Sequence, residues 1–369
     1  MELPFSDGKF VFSDGELNYK EVLDDFPNAK IIRIITYNIS KNEKYDALLK
    51  SLKSSNADIQ LITNIPSRMP QYYSSSAGQY MRKSAQKNIG IYVSKLNPEK
   101  FQEGFSPFFN VRNHAKLIGT ENIVYIGSAN YSNESADNIE SGVLIRDKTF
   151  IQALYADFFE YVKNESLSYF DEDFMVFKLL VASLYAKFIQ HHRKMLTDLY
   201  TDYERTQRTV AETIFMDAND LWNIRYDLEE LDTVCGVADD TFDEENEEYN
   251  EALQEIKGLF SRLSIEWLKE MVSEGSSLYD LVTFDPESEV HSIIQKEFAF
   301  EAYDEYLDDY IERAMNDASE QYYTLQENFR EEADSFIEEI ESVIDVLGKT
   351  MQFVSEWQSQ KLNPNIDNT

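Results

Sequence analysis

The sequence predicts an α/β domain over residues 1–165, a mixed sheet between helices, followed by an all-α region over residues 166–369. Three observations carry this. In the first part, β-branched runs of strand length alternate with segments whose apolar residues recur at helical spacing. In the second part, apolar residues recur at steps of three and four with few breaks. The charge also changes abruptly. Residues 1–165 hold 20 acidic and 19 basic side chains, whereas residues 166–369 hold 48 and 15, so the second part carries almost all of the net −34. A step of this size marks a domain boundary as well as a difference in partners.

Taken in order, Val11-Phe12 and their neighbours read as a short strand, and Asn18 to Phe26 as a short helix. Ala29 to Ser40 contains Ile31-Ile32-Arg33-Ile34-Ile35-Thr36-Tyr37, a β-branched run of strand length. Glu43 to Ser54 places Tyr45, Leu48, Leu49 and Leu52 at helical spacing, and Ala57 to Ile65 is again a strand. Tyr72 to Lys83 reads as a helix, Asn88 to Ser94 as a strand, Ser141 to Arg146 as a strand and Asp147 to Asn164 as a helix.

The second part reads as helix almost throughout. Asp171 to about Met216 puts Phe174, Phe177, Leu180, Leu184, Phe188 and Met195 on one stripe. Glu244 to Ser273 does the same with Tyr249, Leu253, Ile256, Phe260, Leu263 and Trp267. Phe298 to Leu347 is long and free of Pro and Gly until Gly348. Pro286 and Glu274-Gly275-Ser276-Ser277 mark breaks between helices. Such stripes are helical cores rather than cofactor sites.

The single Cys235 leaves no pair for a disulfide within the chain and fits a reducing compartment. The start lacks a basic region and a long apolar run, so no signal peptide is expected. The most apolar stretch, Phe174 to Ile189, carries Lys178 and Lys187, and a soluble cytoplasmic protein is expected.

Chemistry concentrates between His114 and Glu140. His114 can be a nucleophile toward phosphorus, and Lys116, two positions on, leaves an extended chain by the same face. Ser128 and Asn130 repeat that relation after Gly127, which permits close backbone approach. The intervening residues read as strand, polar turn, strand, a hairpin that would set both polar pairs on one surface. Glu140 offers a carboxylate to fix the tautomer of His114.

This stretch resembles the HxKx4D…GSxN signature of the phospholipase D superfamily. His114, Lys116, Gly127, Ser128 and Asn130 match position by position, and Asn138-Ile139-Glu140 resembles the NxE that often follows. One position departs: Glu121 stands where the family usually has Asp, a residue that mainly braces the motif. The resemblance implies a sheet between helices with the motif at one end of the central strands. It also implies a phosphodiesterase that needs two histidines, one attacking phosphorus to form a phosphohistidine and one protonating the leaving oxygen. Lys116 and Asn130 would hold the non-bridging oxygens, and neither a metal nor another cofactor is called for.

The chain offers one copy of the motif. His192-Arg193-Lys194 is formally a second HxK, but it lies in a helical pattern with no Gly-Ser-x-Asn after it. A single copy implies a homodimer with one shared site on a two-fold axis. Around the motif, Arg82, Lys83 and Lys87 precede a predicted strand and read either as substrate contacts or as solvated surface. Arg112 shares strand parity with His114, and Tyr131 could line the pocket or simply pack.

The resemblance favours a nuclease acting on DNA or RNA, and a role in host (antiviral) defence would suit a nuclease joined to a control region. A phospholipid hydrolase is the alternative, although no basic amphipathic helix is present to approach an anionic bilayer. A non-catalytic dimeric scaffold is the third reading. The acidic runs, such as Asp243-Glu244-Glu245-Asn246-Glu247-Glu248, would repel nucleic acid. They fit a solvated surface, a basic protein partner, or imitation of a phosphate backbone that covers the site.

Overall fold

A computed structural model of the chain describes residues 3–40, 46–65, 85–170, 172–203, 207–242, 247–298 and 307–362. The chain divides into two compact units. Among the described residues, one comprises 3–65, 85–183 and 357–362, and the other 184–356.

The first unit runs β1 (Gly8–Asp14), α1 (Lys20–Asp25), β2 (Ile31–Thr36), α2 (Ala47–Lys53), β3 (Asp58–Thr63), α3 (Ala85–Lys95), β4 (Phe105–Phe109), β5 (Leu117–Thr120), β6 (Val124–Gly127) and β7 (Ile139–Ile145). It continues through α4 (Lys148–Ala153), a π-helical turn (Leu154–Phe159), α5 (Glu160–Asn164) and β8 (Leu167–Ser168). The described strands form one mixed sheet in the order β1-β7-β6-β5-β2-β3-β4-β8. β2, β3 and β4 are parallel, and the other neighbours are antiparallel. The sheet's last strand therefore falls after the change in charge at Ser166.

β2 is central and buried because it is an almost unbroken run of isoleucine. Arg33 interrupts that run yet is satisfied, its guanidinium reaching the Asp58 carboxylate at 2.6 Å and the Asp58 carbonyl at 2.8 Å. α2 starts where the Asp46 carboxylate accepts the amides of Leu48 and Leu49, both at 3.1 Å. One face of the sheet is covered by Phe150, Ile151, Leu154, Phe159 and Val162, packed on Ile35, Ile62, Leu117, Val124 and Ile145.

The segment after residue 84 differs from the expected strand: Ala85–Lys95 is a helix. Its apolar residues Ile89, Tyr92 and Val93, and Leu96 just beyond it, fall at helical spacing and are buried, so periodicity outweighs β-branched content. The strand there is Phe105–Phe109, whose burial alternates along its length. The helix expected over Tyr72 to Lys83 lies outside the described residues. The helix from Asp147 to Asn164 is present but carries a π turn at Leu154–Phe159. In that turn Tyr155 donates its hydroxyl to the Thr120 carbonyl at 2.8 Å. Gly119 leaves room for it, since a Cβ there would meet that hydroxyl.

From α6 (Glu172–Asp198) onward the chain is helical, apart from one hairpin, β9 (Tyr200–Tyr203) with β10 (Gln207–Val210). The expected helix from Asp171 to Met216 thus ends at Asp198. The aromatic and β-branched residues after it favour strand, and buried Tyr200 donates to the Ala333 carbonyl at 2.7 Å. Then follow α7 (Ala218–Thr241), α8 (Glu247–Phe260), α9 (Ile265–Met271), α10 (Ser277–Thr283), α11 (Pro286–Phe298) and α12 (Leu307–Leu362). The breaks lie where expected: Gly275 is in the left-handed region at φ 86°, Ser276 caps α10, and Pro286 opens α11. Gly348 does not end α12.

α6 is the one helix among the described residues that is long and apolar enough to cross a membrane, and 67% of that stretch is buried in the protein. Two of its lysines, Lys178 and Lys187, are accommodated inside. Lys187 pairs with Asp227 at 3.0 Å and Glu230 at 2.7 Å, while His191 contacts Asp227 at 2.7 Å.

In the first unit, Lys178 donates to Gln358 Oε1 at 2.7 Å, beside Phe174 stacked on Trp357 with centroids 5.3 Å apart. Burial pushes the Lys178 ammonium down to about 8 from 10.5. Between those values the unfolded chain binds more protons than the folded one, so this group adds stability as pH rises through that window. The stability difference between the native protein and Lys178→Met should therefore shift in favour of the native protein from pH 8 to 10.5. The ceiling is on the order of 3 kcal/mol, measured by urea unfolding at several pH values; a flat difference would contradict a depressed Lys178.

Candidate active site

The strand order brings four chain segments to one end of the sheet. β5 runs antiparallel to both β2 and β6, and β6 antiparallel to β7. The end of β2, the approach to β5, the exit from β6 and the start of β7 are therefore neighbours. They carry Tyr37, His114 and Lys116, Ser128 and Asn130, and Glu140 respectively.

Two buried asparagines hold the approach to β5. Asn113 donates its amide to the Thr36 carbonyl at 2.8 Å and accepts from the Ala115 amide at 3.0 Å. Asn64, at the end of β3, donates to the Asn113 carbonyl at 2.6 Å. His114 is thus fixed by the backbone on which it stands while its imidazole stays exposed. Lys116 points the same way, as its spacing requires: its ammonium donates to the His114 carbonyl at 2.9 Å and lies 3.4 Å from Nδ1. Partial burial lowers the Lys116 ammonium, and the Glu140 carboxylate opposes that effect.

The exit from β6 depends on Gly127 and its partner across the ladder, Gly142. The Tyr125 ring folds over both, so that a Cβ at Gly127 would collide with the Tyr125 hydroxyl and the Ser141 carbonyl. The same hydroxyl donates to the Ser141 carbonyl at 3.0 Å and accepts from the Ala129 amide at 3.2 Å. Ser128 donates to Glu140 Oε2 and accepts from the Ser141 amide at 3.0 Å. The sequence paired Glu140 with His114; the structure pairs it with Ser128. Asn130 is half-buried, and its Oδ1 accepts the Tyr37 amide at 3.1 Å.

Glu121 occupies the β5–β6 turn. It accepts the amides of Lys30 at 3.0 Å and Ile31 at 3.1 Å, bracing the start of β2 at the end of the sheet away from His114. A carboxylate one methylene longer than Asp reaches these amides.

The auxiliary residues fare differently. Tyr131 is 1% exposed, and its hydroxyl donates to the Leu48 carbonyl at 2.8 Å. It is a packing residue, because its amide is drawn inward to Thr36 Oγ1 at 2.8 Å. Arg112 does not share a strand with His114: it lies in a turn in which Asn110 Oδ1 accepts its amide at 2.9 Å. Its guanidinium lies 3.4 Å from Glu165 on an exposed surface. Lys83 lies outside the described residues. Sequence reasoning missed Tyr37, Asn64 and Asn113. Among the described residues, no group of three or more His, Cys, Asp and Glu is placed to hold a metal ion. The formal second HxK lies on α6, with His192 2.9 Å from Glu341 and Lys194 2.7 Å from Asp198.

Residues 26–162 match the family described as the phospholipase D-like domain of cardiolipin synthase. This part of the chain belongs to the phospholipase D superfamily. Among solved structures, the phospholipase D-like domain is similar to Nuc from Salmonella typhimurium, at 16% identity over 44% of this chain and 98% of that one, TM-score 0.31. NucT from Helicobacter pylori is similar at 14% identity over 44% and 99%, TM-score 0.30. Phosphatidylserine synthase from Haemophilus influenzae is similar at 14% identity over 44% and 39%, TM-score 0.34. No curated protein sequence matches significantly. It is the match over 26–162 that assigns the family, and it supports a phosphodiesterase-type activity for the phospholipase D-like domain.

Asn113→Ala should destabilise the protein by about 1–3 kcal/mol, because the buried Thr36 carbonyl keeps only the Asn64 amide, at 3.3 Å, and the Ala115 amide loses its acceptor. Asn113→Asp retains the acceptor alone and should still destabilise. Denaturant unfolding measures both, and a neutral Asn113→Ala would remove the clamp from the account of the site.

Proposed function

We propose that the protein is a nuclease that cleaves phosphodiester bonds of DNA or RNA through a phosphohistidine on His114, in a site shared by two chains. The gathering of His114, Lys116, Ser128, Asn130 and Glu140 at one end of adjacent strands carries this reading. His114 attacks phosphorus. Lys116 and Asn130 bind non-bridging oxygens and stabilise the charge that develops on them. The partner's His114 protonates the leaving oxygen; water then attacks the phosphohistidine, and the proton path runs in reverse. Glu140 orients Ser128 and contributes negative charge that favours a protonated Lys116.

An exposed apolar patch on the β1–β7 edge of the same sheet offers a second copy a surface to cover. Phe10 and Phe12 on β1 are 68% and 75% exposed, and Ile139 on β7 is 80% exposed. Ile139 pairs with Asp14, two residues beyond Phe12, so the three side chains share one face of the β1–β7 ladder. Half-buried Val143, Ile126 and Ala115 connect that face to the core. A second copy covering it would remove exposed apolar surface, as a two-fold dimer requires. For the acidic helical part, a basic protein partner or self-cover of the site fits its charge, and a reducing compartment fits the single Cys235.

Purified protein incubated with single- and double-stranded DNA, RNA and phosphatidylcholine vesicles in EDTA should cleave nucleic acid, and His114→Ala should not. Hydrolysis of lipid alone would replace the nuclease reading with a phospholipase one. Phe12→Glu should shift the protein to monomer in sedimentation and abolish activity; a fully active monomer would rule out the shared site. Activity should also fall as pH rises through a value below the ordinary lysine range, because Lys116 must keep its charge while partial burial lowers it. A pH–rate profile with no alkaline limb below pH 10.5 would contradict that role for Lys116.

A further inference from the structure

We propose that Tyr37 is the positioning residue of the site, its ring holding His114 and Lys116 in one arrangement while its backbone amide holds Asn130. The proposal rests on the reading of His114 as the reacting group. Tyr37 is the first residue beyond β2 and is half-buried. Its ring centroid lies 4.8 Å from that of His114, with the planes tilted by 56°. The Lys116 ammonium lies 5.4 Å from the same centroid. Its backbone amide donates to Asn130 Oδ1 at 3.1 Å. Three motif residues from two separate segments thus converge on one residue that is outside the motif.

The electrostatics give this convergence a purpose. Lys116 Nζ sits 3.4 Å from His114 Nδ1. Whenever His114 is protonated, which acid catalysis by one histidine of a pair requires, two positive charges stand side by side. The π face of Tyr37 is electron-rich and lies under the ammonium, with the imidazole tilted against the same ring, so it offsets part of their repulsion without adding a carboxylate that would repel a phosphodiester. Tyr37 lets a protonated imidazole and an ammonium coexist beside an anionic substrate, and it limits the directions in which either can swing.

The decisive measurement does not depend on finding a substrate. The chain has 4 histidines, so the imidazole signals can be titrated by NMR and His114 assigned by its loss in His114→Gln. Tyr37→Leu should lower the His114 pKa by about half a unit, the size expected for a partly exposed cation–π contact. Tyr37→Phe should leave it within a few tenths. Pentafluorophenylalanine at position 37 keeps the shape and reverses the ring's polarity; it should lower the pKa at least as far as Leu, and it serves as the test if the Leu variant fails to fold. With a cleavable substrate, Tyr37→Leu should reduce kcat about tenfold or more with a small change in KM, and Phe should restore it. An unchanged His114 pKa in the Leu and pentafluoro variants would overturn the proposal. So would a Phe variant as impaired as Leu, which would give the role to the hydroxyl. Absence of nuclease activity in every variant would count against the nuclease reading while the titration still judged Tyr37.

Discussion

Thr36 closes the last rung of β2 and ties the site together. It is fully buried, and both of its polar ends are used. Its carbonyl accepts from Asn113, which fixes the arm that carries His114 and Lys116. Its hydroxyl accepts the Tyr131 amide and donates to the Asn38 carbonyl, which fixes the loop that carries Ser128 and Asn130. One residue, through its carbonyl and its hydroxyl, thereby sets the distance between two segments that the sequence separates by the whole β5–β6 hairpin. Removing water from so many amides and carbonyls is tolerable only because each finds a partner, and that mutual dependence makes the geometry rigid.

Clearance matters as much as bonding. The Tyr125 ring lies across Gly127 and Gly142 because neither has a side chain, and its hydroxyl then joins the backbone of both strands. A glycine conserves space here rather than providing a turn. The same device recurs at Gly119 beneath Tyr155. Two tyrosines therefore seat their hydroxyls on strand backbone, one at each end of the β5–β6 hairpin, and the hairpin cannot slide without breaking both contacts.

Much of this was legible in the sequence, for identifiable reasons. The isoleucine run of β2, the hairpin of β5 and β6 and the long helical stripes are patterns set by residue period, which the chain states openly. His114, Lys116, Ser128, Asn130 and Glu140 could be found because their spacing is itself chemical information. Asn88 to Ser94 was misleading: its β-branched residues suggested a strand while its burial follows a helical period. Tyr131 looked available because it follows Asn130, yet its direction is decided by Thr36, far away in the sequence. Tyr37, Asn64 and Asn113 were missed because each acts across strands. Asn113 does stand immediately before His114, and an amide next to a motif histidine was the one local hint.

The return of the last helix to the first unit has a consequence in time. Lys178 meets Gln358, and Phe174 meets Trp357, so partners of one packing contact are separated by Leu184–Glu356 in the order of synthesis. A ribosome making this chain releases the sheet and the His114 arm first, then the whole acidic helical unit, and only afterwards the turn that completes the first unit. The phospholipase D-like part of the molecule is therefore finished only after the acidic part has emerged, and a chain broken off within it lacks this closing contact.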